Sequence, residues 1–171
     1  MNTICFDFLS TPLGTMLLAS DGEALVGAWF EGQRYEPARG VSWERRRNTP
    51  VLVQAGAEIT EYFDGSRTVF KVPLAPAGTE FQREVWNAIA AIPYGDTAAY
   101  RDLASRIGRP TCIRAAAAAT GRNPLSIIVP CHRVVGADGR LTGYAGGLDR
   151  KRTLLGLERK PPASAAARRA A

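Results

Sequence analysis

The sequence predicts an α+β protein in which antiparallel strands come first and helices follow. Three observations predict it. The first thirty residues alternate apolar and polar side chains and are broken by Thr11-Pro12-Leu13-Gly14 and Asp21-Gly22. Apolar residues then recur at helical spacing from Val51. Beyond the proline-rich stretch 73–78, three helical segments follow one another, separated by Gly and Pro signals. With 171 residues, 46% hydrophobic and 22% charged, the chain fits one generous globular domain or two small ones. It has no run of about eighteen apolar residues for a membrane helix. Met1-Asn2-Thr3-Ile4 opens no secretory signal, so a cytoplasmic protein without a membrane partner is expected. Three cysteines without a CxxC pair, and a single histidine, argue against a disulfide framework and against a zinc site. Neither metal nor cofactor is expected.

Residues 3–9, 15–19 and 24–30 read as three strands of a meander. Residues 31–48 are polar, lack a period and read as a surface loop, with Arg45-Arg46-Arg47 as a solvated charge run. Leu52, Ala55, Ile59 and Phe63 mark a helix that stops at Asp64-Gly65, and Thr68 to Val72 reads as a short strand. The linker 73–78 divides a domain 1–76 from a domain 77–160, and the Pro-, Ala- and Arg-rich residues 161–171 read as a disordered tail. Thr79 and Gln82 have capping-box spacing and open a helix presenting Phe81, Val85, Trp86, Ile89 and Ala90. Ala98 to Ile107 forms a second helix. Thr111 caps a third, which runs through five consecutive alanines to Gly121, and the pair makes a helix-turn-helix pattern. The alanines either pack tightly on a neighbouring helix or let the exposed face approach a groove closely. Ser126 to Val129 reads as a strand that delivers Cys131, and Leu148 to Glu158 as a last helix.

The formal charge of +6 is unevenly placed. Residues 1–78 hold seven basic and nine acidic side chains, whereas residues 79–160 hold thirteen and seven. A basic second half suggests a polyanionic partner. That half also contains Pro130-Cys131-His132-Arg133, a soft nucleophile next to the chain's only base of its kind. Adjacency alone is a weak signal, because free cysteine usually behaves as a small buried hydrophobe.

Pro130-Cys131-His132-Arg133-Val134, preceded by Gly121-Arg122-Asn123-Pro124 and followed by Gly143-Tyr144-Ala145-Gly146-Gly147-Leu148, resembles the methylated-DNA–protein-cysteine methyltransferases, which repair alkylated guanine. Ile92-Pro93-Tyr94-Gly95 matches too, and the resemblance runs in order from about Thr3 to Lys160. It is to the shorter, stand-alone bacterial type. The resemblance implies an RNase-H-like N-terminal domain and a winged helix-turn-helix-like C-terminal one, acting as a monomer on double-stranded DNA that contains alkylated bases. It implies one irreversible transfer per molecule, from O6-methylguanine and also O4-methylthymine, to Cys131. It makes Arg114 the finger that replaces an extruded base, with Ala115, Thr120 and Arg122 as further DNA contacts on and after the same helix. Tyr100, Val134, Tyr144, Ala145 and Gly146 correspond to the alkyl-base pocket, Asn123 to the hinge asparagine, and Glu158 to the carboxylate behind His132. Without that register, Glu158 reads as an exposed helix-end carboxylate.

A thiolate suits displacement at a methyl carbon, and a free thiol with pKa near ~8.5 needs a base. Neighbours on an extended strand point to opposite sides, so a water between Cys131 and His132 is the expected relay. Three positions depart from some relatives: Ser126 replaces a proline, Ala145 a hydroxyl residue and Thr153 an aromatic. None touches the nucleophile.

Overall fold

The computed structural model describes residues 3–160; the tail expected to be disordered lies outside the described residues. Strands β1 (Ile4–Thr11), β2 (Gly14–Ser20) and β3 (Leu25–Phe30) form the expected antiparallel meander. The sheet order is β3-β2-β1-β4, in which β4 (Trp43–Arg45) pairs parallel with the outer edge of β1. The 31–48 segment is therefore not all loop. Its polar sequence hides a strand because an edge strand of three residues needs no alternation of its own. Arg45 and Arg46 meet Asp7 and Glu44 at the surface, as a solvated charge run should.

The two faces of the sheet separate by the period-two rule. Met16 and Leu18 face the main core with helix α1 (Pro50–Phe63), while Leu17, Ala19 and Trp29 face the opposite side with Phe6, Phe8 and Trp43. On α1 the buried stripe is Leu52, Ala55, Ile59 and Tyr62, so Tyr62 takes the place expected for Phe63. Residues 68–72 do not form a strand. The buried Glu58 carboxylate accepts the N–H groups of Lys71 and Val72 at 2.7 and 3.2 Å, satisfying donors that a ladder would otherwise take.

Past the linker, α2 (Glu80–Ala90) begins with the expected capping box, Thr79 and Gln82 each bonding the other's backbone N–H. Val85, Trp86 and Ile89 are buried on it, whereas Ala90 is exposed. Ala98–Ala99 forms strand β5, paired parallel with β6 (Val134–Val135), so α3 starts only at Tyr100 and ends at Arg106. Helix α4 spans Ile113–Gly121 with Cys112, not Thr111, at its N-cap and no side-chain cap. A backbone turn from Arg109 O to Cys112 N–H sets that start instead. The packing role of the alanines is seen on one side of the helix: Ala116 and Ala119 are buried, with the Trp86 indole N–H bonded to Ala119 O at 2.9 Å, whereas Ala115 and Ala118 on the other side are exposed. Helix α5 (Leu148–Glu158) closes the fold. One apolar core runs through both sides of the linker. No helix among the described residues is long and apolar enough to cross a membrane.

Candidate active site

The stretch leading to Cys131 is a turn, not the expected strand. Its β-branched run reads as a strand, but Asn123 supplies from its side chain what a ladder partner would. Asn123 Nδ2 donates to Val129 O at 2.8 Å, and Oδ1 accepts the Leu125 N–H at 2.9 Å. The Val129 N–H closes back on Leu125 O, and Ile127 takes a φ of 72°. Cys131–Arg133 then forms a single 3₁₀ turn. Leu125 and Ser126 lie along β3, through Ala28, which fixes this turn to the N-terminal sheet.

Cys131 is 5% exposed, and its Sγ accepts from Asn123 Nδ2 at 3.2 Å. It lines a cavity of about 280 Å³ with Tyr100, Tyr144 and Ala145 on one side and Ala117, Ala118 and Thr120 of α4 on another. Tyr100 donates its hydroxyl to Thr142 O at 3.3 Å, bridging α3 to the 143–147 loop. Gly146 stands where a Cβ would come within 2.7 Å of the Tyr144 ring, so glycine is what lets that ring lie over the loop.

His132, next in the chain, is fully buried. Its Nε2–H donates to Glu158 Oε1 at 2.6 Å, leaving Nδ1 as the acceptor nitrogen, buried and without a partner among the described residues. Glu158 is 4% exposed, which overturns the reading of an exposed helix-end carboxylate. Besides His132 it accepts from the Tyr62 hydroxyl at 2.7 Å, from Arg133 Nε and Nη2 at 2.8 and 3.0 Å, and from the Gly95 N–H at 3.2 Å. Arg133 also donates to Ile92 O. The Ile92-Pro93-Tyr94-Gly95 stretch is thus the seat of the arginine–carboxylate pair.

Electrostatics follow from this burial. Burial pushes the Cys131 thiol up, opposed by the Asn123 amide and by the charge of Lys151. Burial pulls His132 below its ordinary value, against the hydrogen bond to Glu158. Burial would raise Glu158, but the hydrogen bonds from His132 and Arg133, with their charges, outweigh it and hold the carboxyl at about 2. The resting pair is therefore neutral thiol and neutral imidazole over a fixed carboxylate.

The structure brings Cys131, His132, Asn123, Glu158, Tyr100, Tyr144, Ala145 and Thr120 together. Val134 and Gly146 are buried close by without lining the cavity, and Arg114, Ala115 and Arg122 stand exposed on or just after α4. Tyr62 and Lys151 escape sequence reasoning, as do Arg34 and Tyr35 on the cavity wall. Tyr62 arrives from α1 across the linker. Lys151, fully buried, donates to Val134 O, Thr142 O and Gly143 O at 2.6, 2.8 and 3.2 Å, pinning the loop, and burial lowers its pKa to about 8. Its signal lay within a run of cations: Lys151, Leu154, Leu155 and Glu158 share one helical face.

Residues 4–76 match the family description "6-O-methylguanine DNA methyltransferase, ribonuclease-like domain", and residues 80–160 match its "DNA binding domain". A methylated-DNA–protein-cysteine methyltransferase of Mycolicibacterium paratuberculosis is 46% identical over 91% of this chain and 93% of its own length. The chain belongs to the methylated-DNA–protein-cysteine methyltransferase family. The Haemophilus influenzae family member is 40% identical, over 94% of this chain and 89% of its own. A crystal structure of Mycobacterium tuberculosis OGT in complex with DNA superposes with a TM-score of 0.85 at 41% identity, covering 93% of this chain and 96% of that one. The ribonuclease-like half of the methyltransferase thus supplies Tyr62 to the carboxylate, and the DNA-binding half supplies the thiol, imidazole and carboxylate themselves.

Proposed function

We propose that this methyltransferase repairs DNA by direct reversal, moving the alkyl group from O6 of guanine, and from O4 of thymine, onto Cys131. The observation that carries the reading is a buried thiol lining a cavity beside α4, with a carboxylate-oriented imidazole next in the chain. Residues 77–160 bind the DNA and accept the alkyl group, residues 1–76 support them, and the protein acts as a monomer.

The target base leaves the stack to reach Cys131, at a cost of roughly a few kcal/mol that is least for a poorly paired damaged base. Arg114 fills the gap, and the small side chains Ala115 and Ala118 allow α4 into the minor groove. Arg122 and Thr120 contact the DNA at the end of that helix. As the base arrives, the Cys131 proton passes through a water to His132 Nδ1, and Glu158 stabilises the imidazolium that forms. Sulfur attacks the alkyl carbon in line. The S–C bond forms, the C–O6 bond breaks, and the electron pair goes to the purine oxygen. Tyr100 and backbone N–H groups of the 143–147 loop receive that charge, with Tyr144 and Val134 shaping the alkyl pocket. Guanine is the leaving group, so no co-reactant is needed. Dealkylation would have to expel thiolate, a poor leaving group, from an unactivated alkyl carbon, so alkylated Cys131 persists after one transfer.

The test is intact-mass measurement after incubation with duplex DNA containing O6-methylguanine. One methyl per protein, on Cys131 and without turnover, is expected; repeated turnover or an unmodified protein would overturn the reading. Cys131→Ala should acquire no methyl and still bind the lesion.

A further inference from the structure

Arg34 and Tyr35, on the turn after β3, take no part in the chemistry above, yet both line the Cys131 cavity. Tyr35 has a φ of 64°. A bulky side chain in that region is a true outlier and persists only where its surroundings impose it. Here they do. The buried Gln33 side chain accepts the Phe30 N–H at 2.8 Å and the Ser126 hydroxyl at 3.0 Å, and the Arg34 N–H donates to Ala145 O at 3.0 Å. The turn is thereby tied to the cysteine-bearing turn at one point and to the active-site loop at another.

What this strain presents is a pair of cations. The guanidinium carbons of Arg34 and Arg122 lie 4.9 and 4.7 Å from the centre of the Tyr35 ring. Both arginines are exposed, Tyr35 is 44% exposed, and neither arginine has an acidic partner among the described residues. The face of the ring attracts both cations, which draws two like charges onto one side chain. Guanidiniums present planar forks of N–H donors that match phosphate oxygens. The cluster spans both halves of the protein, joining the turn after β3 to the end of α4.

We propose that Arg34 and Arg122, gathered on Tyr35, bind the phosphodiester of the nucleotide extruded into the Cys131 cavity. The N-terminal half then supplies part of the DNA site and does more than support the other half. The inference rests on the reading that a nucleotide enters that cavity. Tyr35 is a positioning residue in this scheme: its ring holds the cations, and the base does not stack on it.

The test compares methyl transfer to the full chain from duplex DNA carrying O6-methylguanine with transfer from the free base O6-methylguanine, which has no phosphate. Arg34→Gln should slow transfer from duplex roughly tenfold at physiological salt and flatten the log–log salt dependence of binding by about one. The free-base rate should stay as it is. Tyr35→Leu should slow duplex transfer comparably, with the same flattening, while Tyr35→Phe, which keeps the ring, should restore it. Equal slowing with duplex and free base would make Tyr35 a wall of the base pocket and overturn the proposal, as would an unchanged salt dependence. An unaltered protein that gains no methyl from duplex sinks the functional reading instead, a result distinguishable from either.

Discussion

The His132 imidazole donates to the Glu158 carboxylate across 2.6 Å, with both side chains buried. The contact joins the 3₁₀ turn that carries the nucleophile to the last residue of the last helix, and it fixes which imidazole nitrogen is free to take a proton. The same carboxylate collects donors from α1, from the 92–95 stretch and from Arg133. It is a tautomer-setting group and a structural junction at once.

Glu158→Gln separates those two duties. It leaves the Arg133 guanidinium buried without a counter-charge, so a stability loss of about 3–5 kcal/mol is expected in denaturant unfolding. The loss of imidazolium stabilisation should slow transfer by roughly 10²-fold in the fraction that remains folded. A folded variant reacting at the ordinary rate would show that the carboxylate has no part in the proton transfer.

Stability should fall on acidification in two stages. Burial depresses the folded His132 pKa below 6.5, so the unfolded chain takes up the proton first, and stability present above that value is lost as pH drops through the folded one. Glu158 moves from 4.5 when unfolded to about 2 when folded, so its contribution is intact above 4.5 and disappears between 4.5 and 2. That second stage is on the order of 3 kcal/mol. Urea midpoints recorded from pH 8 to 2 should trace both, and Glu158→Gln should abolish the lower stage.

Lys151→Met should raise the apparent pKa of the Cys131 thiol, because the lysine's charge is one of the influences that lower it. It also frees the carbonyls of Val134, Thr142 and Gly143, at about 1–3 kcal/mol for the groups left unpaired. The pH profile of Cys131 alkylation by a small reagent reads the first effect, and thermal unfolding reads the second. An unmoved profile would assign Lys151 to loop anchoring alone.

Arg114→Ala should slow transfer from duplex DNA much more than reaction with the free alkylated base, since only the duplex needs a filler for the extruded nucleotide. Equal slowing in a time course of intact mass would argue against that role.

Local patterns in the sequence determined much of this protein. Alternation fixed the meander, the Thr79–Gln82 spacing fixed the start of α2, and the ordered run from Gly121 to Leu148 marked the site. These are features of a few neighbouring residues, for which dihedral preference and side-chain period suffice. Two readings failed where a side chain replaced a backbone partner, and a third where a backbone partner came from far along the chain. Glu58 satisfies the donors at Lys71 and Val72, so no strand forms there. Asn123 satisfies the chain around Leu125 and Val129, so the β-branched run before Cys131 is a turn. Tertiary pairing with β1 made a strand of Trp43–Arg45 inside an apparent loop.

Charge was the least legible property in one dimension. Glu158 and Lys151 each look like solvated surface groups in a polar helix, and both are buried because α5 turns one face toward the active-site turn. The Tyr62–Glu158 contact spans 96 positions, and the Arg34–Tyr35–Arg122 cluster joins the two halves of the chain. Sequence spacing cannot encode such distances; only packing of the whole chain brings those groups together, and burial then sets their protonation.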